Sequence, residues 1–200
     1  MRIESIERDE ILLRRSAKGD EDSFTEIYRR HQAPLYRFAL RMTGNSWAAE
    51  EIVQDVFMTL VRDPKKYDVD RGSLGAFLYG VTRNRVMKHL ERSPRDLPLL
   101  ESGTNGHGVL PQIIDKVTPA ETVELSERRA RVREAVLGLP VEFREAVVLC
   151  LLEEMSYEQA AKLLECPVGT IRSRLHRGRA LLLAKLEILR EAPKRACAIK

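Results

Sequence analysis

Residues 153–186 read EEMSYEQAAKLLECPVGTIRSRLHRGRALLLAKL, and within them Val168, Ile171, Leu175, Gly178 and Leu182 recur at steps of three, four, three and four. That is the period of an α-helix with one buried stripe. The opposite face then carries Arg172, Ser173, His176, Arg177 and Ala180. From Cys166 to Leu186 there is no Asp or Glu, while Arg172, Arg174, Arg177, Arg179 and Lys185 supply five positive charges. An ordinary solvated basic face has acids interspersed. A helix that hides its apolar side and presents Arg, Ser, His and Arg outward instead suits the DNA major groove. The short segment before it, 157–164, is joined by a tight Cys166-Pro167 turn, the layout of a helix-turn-helix.

Working outward, Ser156 is expected to cap a helix over 157–165, and the last helix to run from 169 to 191. Further helices are expected over 120–137 and 141–152, the second starting after Pro140. Nearer the N-terminus the pattern predicts a helix over 9–18 stopped by Gly19, and one over 22–30 capped by Asp20. Another is expected over 34–42, ending at Gly44. Asn45 is placed to cap a helix over 47–62, whose acidic first half suits the positive helix N-terminus. A loop over 64–75 leads into a helix over 76–92, ended by Ser93-Pro94. Aromatic content is 6% and β-branched runs are scarce, so the predicted class is all-α.

Seven of the 20 Gly and Pro residues fall between Ser93 and Pro119, in SPRDLPLLESGTNGHGVLPQIIDKVTP, with no sustained period. Loops of that length are uncommon inside a compact domain, so the stretch reads as a flexible linker. Two small helical domains result, over 1–92 and 120–191, joined by a linker over 93–119 and followed by a basic tail over 192–200.

The 200 residues carry 34 Lys+Arg against 30 Asp+Glu, a net charge of +4, with 44% hydrophobic and 32% charged residues. That composition fits a globular protein, and no apolar run is long enough to span a membrane. Met1–Glu10 holds four acids and no apolar stretch, unlike a secretory leader. Cys150, Cys166 and Cys197 lie far apart without a CxxC, which argues against a zinc site or a disulfide framework and for a reducing cytoplasm. His31, His89, His107 and His176 match no HExxH, Walker or GxSxG pattern. Neither catalytic residues nor a cofactor or metal are therefore expected.

Two further charge features stand out. Arg83, Arg85, Lys88, Arg92 and Arg95 form a second basic patch, opposed by Glu91 alone. The window 42–61 holds no Lys or Arg, while Glu50, Glu51 and Asp55 make it acidic. Such a face repels DNA and fits either a protein partner or a plain solvated helix start.

Residues 153–186, with Ser156-Tyr157, Glu158–Ala161 and Cys166-Pro167-Val168-Gly169-Thr170-Ile171-Arg172-Ser173-Arg174, closely resemble region four of bacterial RNA polymerase sigma factors. The stretches FTEIYRRHQAPLYRFALRMTG (24–44), AEEIVQDVFMTLVRD (49–63) and YDVDRGSLGAFLYGVTRNRV (67–86) resemble region two. Two blocks in this order, with no other region, are similar to the extracytoplasmic-function subfamily of the sigma-70 family. There are departures. Phe77 stands where the family often has Trp, Ala160 where it commonly has Ile, and Glu165 where it usually has Gly. Glycine there would relieve a left-handed helix end, at a cost to Glu165 of up to about 1 kcal/mol.

The resemblance implies a promoter-specific initiation factor that binds core RNA polymerase, recognises two promoter elements and aids melting. It implies that Glu50, Glu51, Gln54, Asp55 and Phe57 meet the clamp helices of the largest polymerase subunit, with the flap as a second contact. Tyr67, Asp68, Arg71, Ser73, Arg83, Asn84, Arg85 and Lys88 would melt and read the minus-ten element. Thr170, Arg172, Ser173, Arg174, His176, Arg177 and Arg179 would bind the minus-thirty-five element, Arg174 and Arg179 mainly through phosphates or neighbouring structure. Promoter DNA and an anti-sigma factor are the other implied partners, without membrane insertion. The alternative is a stand-alone helix-turn-helix regulator. It would need a ligand or phosphoacceptor domain upstream, and 1–92 offers none.

Overall fold

The computed structural model describes residues 2–92 and 119–191, with side chains over 9–92 and 125–188. The linker and tail expected from the sequence fall, but for Pro119, outside the described residues. The chain divides into two compact units, and among the described residues every regular element is helical.

The first unit is built on α1 (Arg2–Ser16), α2 (Glu21–Thr43), α3 (Ser46–Arg62) and α4 (Leu74–Arg92). Each junction follows from local chemistry. Asp20 is extended, and its carboxylate accepts the Ser23 N–H at 3.1 Å while pairing with Arg15 at 2.6 Å. Gly44 closes α2 at φ +72°, a left-handed value that glycine adopts without penalty, and donates to the Leu40 carbonyl at 2.8 Å. Asn45 then caps α3, its side-chain oxygen accepting the Ala48 N–H at 3.0 Å. These caps stand where the sequence puts them.

Three features of this unit differ from expectation by more than a residue or two. Helix α1 starts at Arg2, seven residues before Asp9, because the intervening residues contain no breaker. The helices expected over 22–30 and 34–42 are a single one, α2, with Pro34 inside it. A proline removes one backbone hydrogen bond and crowds the preceding turn. Burial of Ile27 on one side of Pro34, and of Leu35, Phe38 and Met42 on the other, holds the helix together across it. The loop before α4 contains two short 3-10 turns, Pro64–Lys66 and Val69–Arg71.

Helix α2 packs against α1, α3 and α4. Leu13, Ile27, Leu35, Val53, Val56, Phe57, Leu60, Leu74 and Leu78 form the core they share.

The second unit carries most of α5 (Pro119–Leu137), α6 (Val141–Val147), α7 (Tyr157–Leu163) and α8 (Val168–Glu191). The helix expected over 141–152 is α-helical only to Val147 and widens into a π turn over Val148–Leu152. There the Glu153 N–H reaches back to the Val148 carbonyl at 2.9 Å, and Glu154 ends the segment at φ +55°. Arg144 is buried and donates to the carbonyls of Leu137 and, at 3.0 Å, Leu139. It thereby satisfies groups at the end of α5. Helix α8 packs on α5 and α6, with Leu139, Ala146, Val147 and Leu175 at the centre.

Candidate nucleic-acid interfaces

The turn into α8 is set by backbone geometry. Helix α7 opens with a reciprocal cap: the Ser156 hydroxyl accepts the Gln159 N–H at 3.2 Å, and the Gln159 side chain accepts the Ser156 N–H at 3.0 Å. It closes at Glu165, whose φ is +51°. The Cys166 N–H meets the Ala161 carbonyl at 3.0 Å and the Glu165 N–H meets that of Lys162 at 3.4 Å, the paired bonds of a Schellman motif. The Pro167 carbonyl then accepts from Thr170 at 2.9 Å and starts α8.

On α8, Ile171, Leu175 and Gly178 are buried, with Val168 and Leu182 half-buried at the ends of the stripe. Gly178 is required by close approach: a Cβ there would lie 2.8 Å from Val147 Cγ2 and 3.3 Å from the Phe143 carbonyl. Arg172, Ser173, His176, Arg177, Arg179 and Ala180 are all exposed, while Thr170 and Arg174 are half-buried at the margin. The outward face thus carries three arginines, one histidine and one hydroxyl. Two of its cations have local neighbours. The Glu158 carboxyl is held below its usual range chiefly by its own backbone N–H and the Ser156 hydroxyl, with a lesser pull from Arg172. Burial pushes the Cys150 thiol up, and the charge of Arg179 acts the other way.

In the first unit the loop 63–73 and α4 carry the second set. Tyr67 is half-buried, stacks obliquely on Phe77 at 5.7 Å, and donates its hydroxyl hydrogen to the Gly72 carbonyl at 3.0 Å. Asp68 is exposed, and its carboxylate accepts the Asp70 N–H at 3.0 Å. The Ser73 hydroxyl accepts the Ala76 N–H at 3.3 Å. Both side chains therefore shape the backbone as well as standing at the loop surface. Arg71, Asn84 and Lys88 are exposed, whereas Arg83 and Arg85 are half-buried. Arg85 is engaged across the helix pair: its guanidinium pairs with Asp55 on α3 and donates to Thr59 Oγ1 at 3.0 Å.

That bond joins two residues that sequence reasoning puts on separate surfaces. On α3, Glu50, Glu51, Gln54 and Asp55 are exposed. Phe57 is not. It is 3% exposed, with the Tyr28 ring at 4.7 Å and the Phe24 ring at 6.2 Å. Phe57 is a correction to the expected outward set: it faces the side that α3 turns to α2, and it supports the acidic face from beneath. The exposed apolar residues of α3 are instead Trp47 (69%), Met58 (45%) and Val61 (53%). With Glu51 and Gln54 they follow the helical spacing 47, 51, 54, 58 and 61, one face of α3. That spacing was available in the sequence, but attention to charge alone passes over it.

Among the described residues, no cluster of three His, Cys, Asp or Glu could hold a metal ion, and no helix is long and apolar enough to cross a membrane.

Residues 27–95 match the family model for sigma-70 region 2, and residues 129–182 that for sigma-70 region 4. The chain is 31% identical over 175 residues to the extracytoplasmic-function RNA polymerase sigma factor SigW of Bacillus subtilis, covering 86% of this chain and 93% of that protein. Its fold is similar to that of CnrH, solved in complex with the cytosolic domain of CnrY, with a TM-score of 0.65, 25% identity and coverage of 90% and 98% of the two chains. RpoE of Bartonella quintana, solved with the anti-sigma factor NepR, shares the fold with a TM-score of 0.60 at 22% identity, over 82% of this chain and 97% of that one.

Proposed function

The chain belongs to the extracytoplasmic-function sigma factors of the sigma-70 family, promoter-specific initiation factors that act with core RNA polymerase on promoter DNA, and on that premise we propose how its surfaces divide this work. The first unit, residues 1–92, binds core polymerase and handles the minus-ten element. Residues 120–191 read the minus-thirty-five element, and residues 93–119 connect the two. The observation that carries this division is the ordered match of two region models to separate halves, the second containing the acid-free outward face of α8.

Docking on the clamp helices falls to the exposed side of α3. Glu50, Glu51 and Gln54 supply charge and hydrogen bonding there, and Trp47, Met58 and Val61 supply apolar area. Depletion of cations from this face and its large exposed aromatic support a protein partner over a merely solvated helix. Asp55 serves at the edge, since it also pairs with Arg85. The flap of the polymerase is the second contact.

At the minus-ten element, a base taken out of the stack needs a pocket, edge hydrogen bonds and backbone charge. Asp68, Arg71, Ser73 and Asn84 supply the edge contacts, with Lys88 and Arg83 toward phosphates. Tyr67 acts mainly by holding the loop, because its ring and hydroxyl are both engaged. Arg85 contributes once its bond to Asp55 yields.

At the minus-thirty-five element, Arg172, Ser173, His176 and Arg177 lie on the face turned from the buried stripe and read base edges. Thr170, Arg174 and Arg179 hold phosphates or neighbouring structure. The chain works in the cytoplasm without catalysing a reaction of its own, under an anti-sigma factor of the kind seen with the similar folds.

Run-off transcription tests the reading. Transcripts are expected from a cognate promoter with core polymerase and none without it. On a library mutated one minus-thirty-five position at a time, Arg177→Ala should relax preference at one position by about tenfold, the range of a single arginine–guanine contact. Specific promoter binding that is equally tight without core would favour the stand-alone regulator instead.

A further inference from the structure

Helix α1 precedes the stretch matched by the region 2 model, which begins at residue 27. It nevertheless carries the one buried carboxylate among the described residues of the first unit. The Asp9 side chain is 11% exposed, and both its oxygens are taken by α2: Oδ2 by His31 Nε2 at 2.9 Å and Oδ1 by Arg30 at 2.9 Å. Burial raises the proton affinity of Asp9, but the bonds and charges of His31 and Arg30 outweigh it and hold the carboxyl below its usual range. A carboxylate persists in such a place only when paired this way. So far this is a staple between two helices.

Its surroundings give it a second role. The His31 ring lies against the first turn of α4, where a Cβ on Gly75 would sit 3.3 Å from its Cε1. Gly75 marks the exit of the 63–73 loop. The entry of that loop faces α1 as well: Pro64, Tyr67 and Val69 line a shallow cleft with Leu13 and Arg14. Leu13 shares its core cluster with Leu74 and Leu78, and Tyr67 and Phe77 pack against the same cluster. Glu10 lines the same cleft, and the Tyr67 phenol is pushed up first by burial and then by the charges of Glu10 and Asp9. Thus α1 faces the beginning of the loop across this cleft and meets its end through His31, while Asp68, Asp70 and Arg71 stay exposed between them. The internal bonds of the loop, Asp68 to Asp70 and Tyr67 to Gly72, define its shape and not its direction.

We propose that α1 is a shelf that aims the minus-ten loop, with Asp9 and His31 as its positioning pair. The inference rests on the minus-ten role proposed above. Loops carrying recognition residues need outside support to stay within a productive geometry. Neither Asp9 nor His31 touches DNA in this account; both act through the loop.

Hydrogen–deuterium exchange of the full chain tests this independently of transcription. Asp9→Asn should speed exchange over 65–75 by about tenfold, the weight of one charge-assisted hydrogen bond, while 46–62 stays as protected as before. His31→Gln, which keeps a donor for Asp9 but removes the ring under Gly75, should do the same at the exit of the loop. With core polymerase, both variants should bind core normally, open duplex promoters poorly and recover on a pre-melted bubble. The proposal is overturned by unchanged loop exchange, by equal loosening of 46–62, or by a loosened loop that leaves promoter opening and minus-ten preference intact. If Asp9→Asn does not fold, Gly75→Ala applies the same test by pressing a methyl on the His31 ring. A wild-type chain that opens no promoter with core would sink the functional reading, and the exchange result would still decide the role of α1.

Discussion

Glu165 shows how one residue can carry strain that its neighbours require. The turn between α7 and α8 needs a left-handed residue, and at φ +51° Glu165 supplies it with a Cβ that glycine would lack. The departure from the family pattern is therefore a real local cost, offset by the two Schellman bonds around it. Replacing it should help. Glu165→Gly is expected to stabilise the chain by about 0.5–1 kcal/mol, the strain relieved less the extra freedom glycine has when unfolded. A thermal melt should show a rise of about 3 °C, and Glu165→Ala, which keeps the Cβ, should show none. Equal melting of Glu165→Gly and the native chain would mean that the turn is not strained.

Helix α3 carries opposite demands on its two sides. Phe57, Val53, Val56 and Leu60 face the core, and Trp47, Glu51, Gln54, Met58 and Val61 face outward. Charge reversal on the outward side tests that division, but the residue must be chosen with care. Asp55→Lys would also break the pair with Arg85 and set two cations against each other between α3 and α4. Glu51→Lys avoids this. It is expected to weaken core polymerase binding by about tenfold at low salt and much less at high salt, since like charges then face each other across the contact. Circular dichroism should remain that of the native chain. Titration against labelled core at two salt concentrations checks both statements, and salt-independent affinity would remove electrostatics from the account of this face.

For the whole molecule the relevant quantity is how its charge is arranged, since +4 is small for 64 charged side chains. α3 holds no cation before Arg62 and α8 no acid before Glu187, so the polymerase contact proposed for the one and the DNA contact proposed for the other can share a chain without the DNA being drawn to the wrong place. Phosphate contacts report themselves in salt dependence. Arg179→Ala, an exposed cation off the reading set, should weaken every promoter alike and reduce the slope of log affinity against log salt by about one. Holoenzyme binding measured across a salt series is the check. A change confined to one base position would instead move Arg179 into the reading set.

Much of this architecture was legible in the sequence because it rests on local rules. Caps at Asp20, Asn45 and Ser156, the glycine stop at Gly44 and the three-four stripe of α8 each depend on a few neighbouring residues, and each stands in the structure as the pattern implies. The absence of acids from 166 to 186 likewise needs no coordinates. What tertiary structure alone decided involves residues far apart in the chain. Pro34 looked like a boundary, and only burial on both sides of it keeps α2 whole. Phe57 lies beside exposed Gln54 and Asp55 in sequence, yet the packing of α2 turns it inward. Asp9 and His31 are 22 positions apart and Asp55 and Arg85 are 30, so no periodicity links them. Local rules speak for hydrogen bonds within a turn or two, whereas the partner of a buried charge or ring is chosen when helices meet.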